Sequence, residues 1–487
     1  MTPKAALKKN PAPEMSGATP AGFNAILRND LCAFIEKVFA TVSNGDTYRP
    51  NWHVEAIVHQ LMRCDSGEIR RLAILMPPRH LKSIVVSIAY VAWRLGRDPR
   101  QRFIVVSHSA ELAQLLSRQF RQVVDSDWYR RAFPAMRANP QKNTETEFVT
   151  SAGGGRLATS IGGSITGRGG DVIIVDDPMK AELANNESEE ARVRHYFDQT
   201  LSTRLNNKKT GVMILVMQRL SVGDLAAHVL NDPNWTQLTL SAIAEKDETI
   251  TLTPSRAHVR YKGQVLHPDH EDEAVFAELR TRLGTAGFAA QYLQAPIPPG
   301  AGLLQLDWFQ RYNSLPSRRL WELVLHSWDT AASLEEGASY SVWQKWIVID
   351  GKLYLADLIR KRMQYPGLKR VAFELIKPHA PDHVLVERAS TGIALGDEFF
   401  NHFSIYERQR KVPHIRPVHS KEDRAVAVSA LIEAGTVLLP QEAPYLKTLE
   451  DEIRSFPNGA HDDQVDAMTQ VVWFYDKAYR TPSLRRQ

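Results

Sequence analysis

The sequence predicts an α/β fold in two domains, the first built on a parallel sheet and the second on a mixed one. From Leu72 onward, short apolar runs alternate with helical patterns, as in a parallel sheet whose crossovers are helices. From Leu323 onward, paired strand patterns come first and helices later, as in a mixed sheet. At 487 residues the chain also exceeds what one hydrophobic core usually organises.

Composition narrows the classes. Lys plus Arg number 60 against 55 Asp plus Glu, a net charge of +5 with a pI near 9.0, which suits contacts to a phosphate backbone without demanding them. Cys32 and Cys64 are the only cysteines, so neither a disulfide framework nor a cysteine-built zinc site is available, and a reducing, intracellular setting is expected. No apolar run approaches the roughly 18 residues of a membrane span, and no secretory signal opens the sequence, so a soluble protein with no membrane partner is expected.

Residues 1–21 hold Lys4, Lys8 and Lys9 with few large apolar groups and are expected to form a flexible tail. The first domain, 22–245, opens with helical spacing over 23–40, and its expected strands are 72–76, 103–107, 172–175, 212–217 and 235–240. Residues 246–318 lose this regularity, and 295–302, rich in proline and glycine, suit neither helix nor central strand, so a connecting region is placed there. The second domain, 319–478, begins with strands 323–328, 341–349 and 352–358, the last two joined by an Asp350-Gly351 turn as an antiparallel pair. A further strand is expected at 384–387, helices at 392–400, 423–434 and 462–475, and a basic tail at 479–487. Trp343 and Trp346 are read as core rather than as a base-stacking platform, and His267 and His270 lack the second pair of ligands that a zinc site needs.

Two segments of the first domain carry nucleotide chemistry. A phosphate loop works through backbone amides at a strand-to-helix turn, with a lysine that neutralises phosphate charge. Residues 76–83 have that context: Pro77, Pro78, Arg79, His80 and Leu81 would wrap the phosphates, Lys82 would reach the β- and γ-phosphates, and Ser83 would hold Mg²⁺. Met76 and Leu81 stand where the pattern G-x-x-x-x-G-K-[ST] has glycines, and a proline-rich turn with a surface lysine is the plainer reading of this segment alone. The strand 172–175 then runs into two carboxylates, Asp176 for the Mg²⁺ shell and Asp177 to orient or deprotonate the attacking water. Together the two motifs make ATP with Mg²⁺ the expected substrate. The glycine-rich segment 162–170 carries Arg168, which either reaches a neighbouring subunit's γ-phosphate or sits in a flexible turn touching solvent or DNA. Gln218 and Arg219 follow a strand at the edge where nucleotides sit in open α/β sheets, so Gln218 is either a γ-phosphate sensor or a solvated strand end.

Acidic residues carry the chemistry of the second domain. Asp329 follows the strand 323–328, Glu387 ends the strand 384–387, and Asp462, Asp463 and Asp466 open the last helix. Asp463 and Asp466 share a helical face, while a helix dipole favours acids at any helix start, so Asp462 alone could be a cap. Hard oxygen donors drawn from several segments suit two Mg²⁺ or Mn²⁺ ions about 4 Å apart, which activate a water and stabilise a leaving 3′ oxygen. Scattered surface acids are the plainer alternative, and His461 is either a surface residue or a contact to phosphate or metal.

Several segments agree, in order, with one family. Pro77-Pro78-Arg79 to Lys82-Ser83, Thr166-Gly167-Arg168-Gly169, Asp176-Asp177-Pro178, Gln218-Arg219-Leu220, Gln291-Tyr292, Asp329, Glu387 and the run from His461 to Ala467 resemble the large terminase subunit of tailed bacteriophages and prophages, from about residue 30 to 478. The resemblance implies an additional-strand P-loop ATPase followed by a ribonuclease H-like nuclease. Arg79 matches an arginine often carried inside that family's loop, Asp177 stands where many relatives have Glu, and Asp463 is the match for the third nuclease carboxylate beside Asp462 and Asp466. It further implies a motor that joins a small terminase subunit on double-stranded DNA and cuts it. The motor would then dock on the portal protein of a procapsid as a homo-oligomeric ring, pump DNA with ATP, and cut again. Its setting would be the cytoplasm of an infected or lysogenic bacterial host, and it would be absent from the mature virion. A helicase-nuclease of DNA repair or restriction would share both engines without a portal, and an adaptor with a decayed ATP site would share the fold alone.

Overall fold

The structure, a computed structural model, describes residues 20–184, 186–298, 304–330, 340–387, 391–403, 407, 411–415, 421–457, 459 and 461–480. The expected tail up to residue 19, residues 481–487 and residues 299–302 of the proline-rich segment lie outside these. Two compact units divide the chain. One holds residues up to Lys180, Ala191–Gln218 and Leu225–Asp269; the other holds Ala181–Glu190, Arg219–Asp224 and the residues from His270.

The first unit is built on an eight-stranded sheet of order β3-β4-β5-β2-β6-β7-β1-β8. Its strands are β1 (Arg71–Leu75), β2 (Arg102–Ser107), β3 (Ala138–Asn143), β4 (Glu147–Thr150), β5 (Gly155–Ser160), β6 (Val172–Asp176), β7 (Val212–Met217) and β8 (Thr236–Thr239). The six strands from β5 to β8 in this order run parallel. The five strands expected from apolar runs are all present because a parallel sheet is covered on both faces and so reads as continuous hydrophobic stretches. Leu72 and Ile74 belong to the core under the helices of one face, and Ala73 and Leu75 are buried as well. The strands β3 to β5 were not expected: ANPQKN and GRLATS lack an apolar run, and β3 and β4 at the sheet edge are antiparallel. The strand β7 lies between β1, which leads into the loop with Lys82, and β6, which ends in Asp176; this is the additional-strand arrangement.

Segment 246–318 is more regular than its sequence suggests. It contains an antiparallel hairpin, β9 (Glu248–Thr253) and β10 (Arg256–Arg260), whose alternating Ile250 and Leu252 enter the first core. It also contains the helix Glu273–Gln291, opened by Asp272 accepting from the Val275 N–H and bent at Gly284, where φ is 68°. A Cβ at Gly284 would lie 3.0 Å from Ala430, so the glycine serves both a left-handed turn and a close helix crossing.

The second unit carries a seven-stranded sheet of order β11-β17-β14-β13-β12-β15-β16. These are β11 (Gln310–Tyr312), β12 (Leu323–Asp329), β13 (Ser341–Ile349), β14 (Lys352–Lys361), β15 (His383–Glu387), β16 (His414–Ile415) and β17 (Val437–Pro440). The strands β12, β13 and β14 are antiparallel neighbours, and β15 joins β12 in parallel. The Asp350-Gly351 turn has positive φ at both positions (49° and 74°), as a tight hairpin turn requires. One sheet face packs on the helices Lys421–Glu433, Leu446–Ser455 and Asp463–Tyr475, and the other on Tyr365–His379 and Thr391–His402. Trp343 and Trp346 are fully buried, as core residues.

Candidate nucleotide site and acidic centre

Between β1 and the following helical segment, Ile84–Tyr90 continued by Val91–Arg97, the chain turns through Met76–Ser83. Arg79 (φ 64°) and Leu81 (φ 66°) both adopt the left-handed backbone. Leu81 occupies the motif's second glycine position, so the loop keeps the backbone turn without the glycine, at a cost of about 1–2 kcal/mol. Partial packing of its side chain on the first core offsets that cost. His80 is buried with Nδ1 2.8 Å from the Pro78 carbonyl, fixing the turn, while Arg79 is exposed.

Alternation along β6 points Asp176 to the same face as Val172 and Ile174, beneath the helical segment that follows the loop. There the Ser83 hydroxyl donates to one Asp176 oxygen at 2.9 Å and the Ser87 hydroxyl to the other at 2.6 Å. Burial, then the charge of Asp177, pushes the Asp176 carboxyl above its usual range, against the two serines and Lys82. Lys82, itself buried, reaches Asp177 Oδ2 at 3.1 Å. Asp177 has φ 45°, and its other oxygen accepts from the Gln218 N–H at 3.3 Å. The expected residues Lys82, Ser83, Asp176, Asp177 and Gln218 thus meet at one edge of the sheet. The Gln218 Oε1 is buried with no hydrogen-bond partner, whereas Arg219 is committed to Asp224 at 2.8 Å. Ser87 is a member of this cluster that the sequence pattern does not mark.

Arg168 is paired with Glu147 of the same chain through both guanidinium arms, one of them at 3.0 Å. The glycine-rich segment therefore holds its arginine in an ion pair within the chain, with the side chain still largely exposed.

In the second unit, Leu325, Ser327 and Asp329 share one face of β12, and Leu385 and Glu387 the corresponding face of β15. Ser327 pairs in register with Leu385, so the two acids end adjacent parallel strands. The helix Asp463–Tyr475 packs on that face, with the Ser327 hydroxyl donating to the Ala467 carbonyl at 2.8 Å. Its start is capped by neither Asp462, which makes no cap bond, nor Asp463. Glu452 of the helix Leu446–Ser455 accepts the N–H groups of Gln464 (2.6 Å) and Val465 (3.0 Å). The cap comes from another element, and Asp462, Asp463 and Asp466 are left for other partners.

Those partners are basic residues with no evident sequence signal. Lys421 Nζ stands 2.7 Å from Asp462 and 2.7 Å from Asp466, and Arg424 stands 2.8 Å from Glu387 and 3.6 Å from Asp466. Arg360 lies 3.8 Å from Asp463. Burial, then the charges of Asp466 and Asp463 and finally Glu387, hold the Asp329 carboxyl well above its usual range, with Lys421 opposing. Asp466 is pushed up to about 6 by burial, with Lys421 and Arg424 pulling it back. Burial pulls the Lys421 ammonium down, but Asp466 and Asp462 leave it above its ordinary value.

Among the described residues, no three His, Cys, Asp or Glu side chains already stand as a metal-binding set. The donor chemistry nonetheless fits a hard divalent cation. The oxygens Asp463 Oδ2 and Asp466 Oδ1 are buried without hydrogen-bond partners, and the charges of Asp466, Asp463 and Glu387 help to raise the pKa of Asp329. Asp329, Glu387, Asp463 and Asp466 are the residues that would hold it.

A comparison with curated proteins finds no match. Residues 326–473 match the family model described as the terminase RNase H-like domain. Among solved structures, a large terminase of a thermophilic bacteriophage is similar at 13% identity and a TM-score of 0.51, over 87% of this chain and 98% of that one. The HK97 bacteriophage large terminase is similar at 13% identity and a TM-score of 0.37, over 91% and 99%. The first of these supports the fold, and the family match falls on the sheet and the helix that bring together Asp329, Glu387 and Asp463. Residues 326–473 are thus a terminase RNase H-like domain, and the chain as a whole has the fold of a large terminase.

Proposed function

We propose that the chain is the motor subunit that hydrolyses ATP to drive double-stranded DNA into a procapsid and cuts that DNA at the acidic centre. The observation that carries this reading is the meeting of Lys82, Ser83, Asp176 and Asp177 at one edge of an additional-strand sheet, in a chain that also carries an RNase H-like acidic centre. Lys82 would exchange Asp177 for the β- and γ-phosphates, Ser83 and Asp176 would hold Mg²⁺, and Asp177, released from the lysine, would orient water. Gln218, with an open acceptor, would read the γ-phosphate through that water. In the second unit, Asp329, Glu387, Asp463 and Asp466 would hold two Mg²⁺ or Mn²⁺, and Lys421 and Arg424 would balance the carboxylates until then. The bound ions would supply an activated water and charge stabilisation at the leaving 3′ oxygen. The small terminase subunit, the portal protein, a homo-oligomeric ring and the bacterial host cytoplasm are what the resemblance to large terminases would add to this reading.

The test is a double dissociation. Lys82→Ala is expected to abolish ATP hydrolysis and leave Mn²⁺-dependent cutting intact. Asp329→Asn should lower nicking and double-strand cutting by orders of magnitude with ATPase activity near wild type. Full ATPase in the first variant, or undiminished cutting in the second or in EDTA, would overturn the assignment. ATPase stimulated by procapsids distinguishes packaging from a helicase-nuclease.

A further inference from the structure

Beside the acidic centre stands a cluster not used above. Tyr340 immediately precedes β13, and two guanidiniums share its ring: Arg360 at 3.9 Å and Arg362 at 4.7 Å from the ring centre. His461 meets the same ring edge-on at 5.2 Å. Register ties Arg360 to the centre. Asp329 pairs with Val342 and Val342 with Arg360, so the three form a row across β12, β13 and β14 on the sheet face that the helix Asp463–Tyr475 covers.

The Arg360 guanidinium is 3.8 Å from Asp463 and 3.8 Å from Glu452, beyond hydrogen-bonding distance of either. Its Nε and Nη2 are shielded from solvent and have no hydrogen-bond partner. An arginine so close to two carboxylates would ordinarily form a bidentate pair. Here Glu452 spends its oxygens on Gln464 and Val465, and the guanidinium lies over Tyr340 instead. Shielded donors left open are costly unless a ligand with acceptor oxygens completes them.

We propose that Arg360, Arg362 and Tyr340 form a subsite for a DNA backbone phosphate next to the acidic centre, with Arg360 positioning the strand to be cut. The fixed fork of Arg360 matches two non-bridging phosphate oxygens. The exposed Arg362 meets the neighbouring phosphate, and Tyr340 keeps both guanidiniums in place. This rests on the nuclease reading, because it assigns the strand that reading would cut.

The experiment uses the full chain. Duplex binding is followed by fluorescence anisotropy across salt concentrations in EDTA, nicking kinetics with Mn²⁺, and Mn²⁺ binding by calorimetry. Arg360→Gln should lower the magnitude of the salt slope by about 1. It should also raise KM for DNA roughly tenfold and leave Mn²⁺ affinity within about twofold. Arg362→Gln, an exposed change that threatens folding least, should give the same slope change with a smaller KM effect. Tyr340→Leu, which removes the ring under both guanidiniums, should behave as Arg360→Gln. Unchanged salt slope and KM in both arginine variants would overturn the subsite. So would a loss of Mn²⁺ affinity as large as the KM effect, since Arg360 would then act only on Asp463. If wild type fails to cut with Mn²⁺, the nuclease reading falls instead, and the anisotropy still decides the phosphate subsite.

Discussion

Asp177 has a left-handed backbone, and the turn it makes at the end of β6 presents one oxygen to Lys82 at 3.1 Å and the other to the Gln218 N–H at 3.3 Å. Asp177→Asn keeps the shape and the bond to Gln218 while removing the charge that detains Lys82. ATP binding should therefore persist or tighten, while turnover falls by roughly 100-fold or more because water is no longer oriented. A filter-binding assay beside steady-state hydrolysis checks both halves, and loss of binding would make Asp177 a structural residue. The same reasoning explains how Leu81 can stand at a glycine position. The left-handed turn is required, the residue is not, and partial burial of the leucine offsets the strain.

At the scale of elements, the acidic centre depends on one helix start capped by a neighbouring helix. Because Glu452 holds the Gln464 and Val465 amides, Asp463 and Asp466 can face the strands instead of folding back on their own backbone. Glu452→Ala removes a buried cap and leaves two amides and the Gln464 side chain unpaired. A loss of about 2 kcal/mol or more is expected in denaturant unfolding of the second unit. Cutting should fall as the first helical turn loosens, with ATPase activity unchanged. A variant as stable as wild type would place the cap elsewhere.

Across the whole molecule, charge links stability to metal. Asp329 and Asp466 have raised pKa values in the folded chain, so the folded state holds protons that the unfolded chain releases. For carboxyls shifted upward, stability is greatest below their unfolded value near 3.8 and declines as pH rises through about 6, the folded value of Asp466. Under the proposed function, divalent cations would take the place of those protons. Mn²⁺ should therefore raise the calorimetric transition of the second unit more at pH 8 than at pH 5, and an equal rise at both would disconnect these carboxylates from the metal. A second whole-molecule expectation concerns assembly. The Arg168 side chain is 53% exposed, and its pair with Glu147 is the kind of surface ion pair that contributes about 0–1 kcal/mol, so a phosphate can displace it. If Arg168 serves a neighbouring subunit, mixtures of Arg168→Ala and Lys82→Ala chains should recover ATPase activity that neither has alone; verified mixed rings without recovery would remove the trans role.

Local patterns in the sequence determined the buried parallel strands, the β13–β14 hairpin, the strand-loop-helix around Lys82 and the acids at strand and helix ends. Each of these rests on periodicity, turn chemistry or a motif a few residues long. Edge strands such as β3 were illegible because backbone pairing rather than side-chain burial makes them. Tertiary structure alone decided what neutralises what. Lys421, Arg424 and Arg360 come from segments whose local sequence gives no sign of an acidic neighbour, and Glu452 resembles any surface acid of an amphipathic helix until its burial against a second helix start is seen. Charge pairing depends on distance in space, and sequence spacing encodes that distance only within one helix or strand.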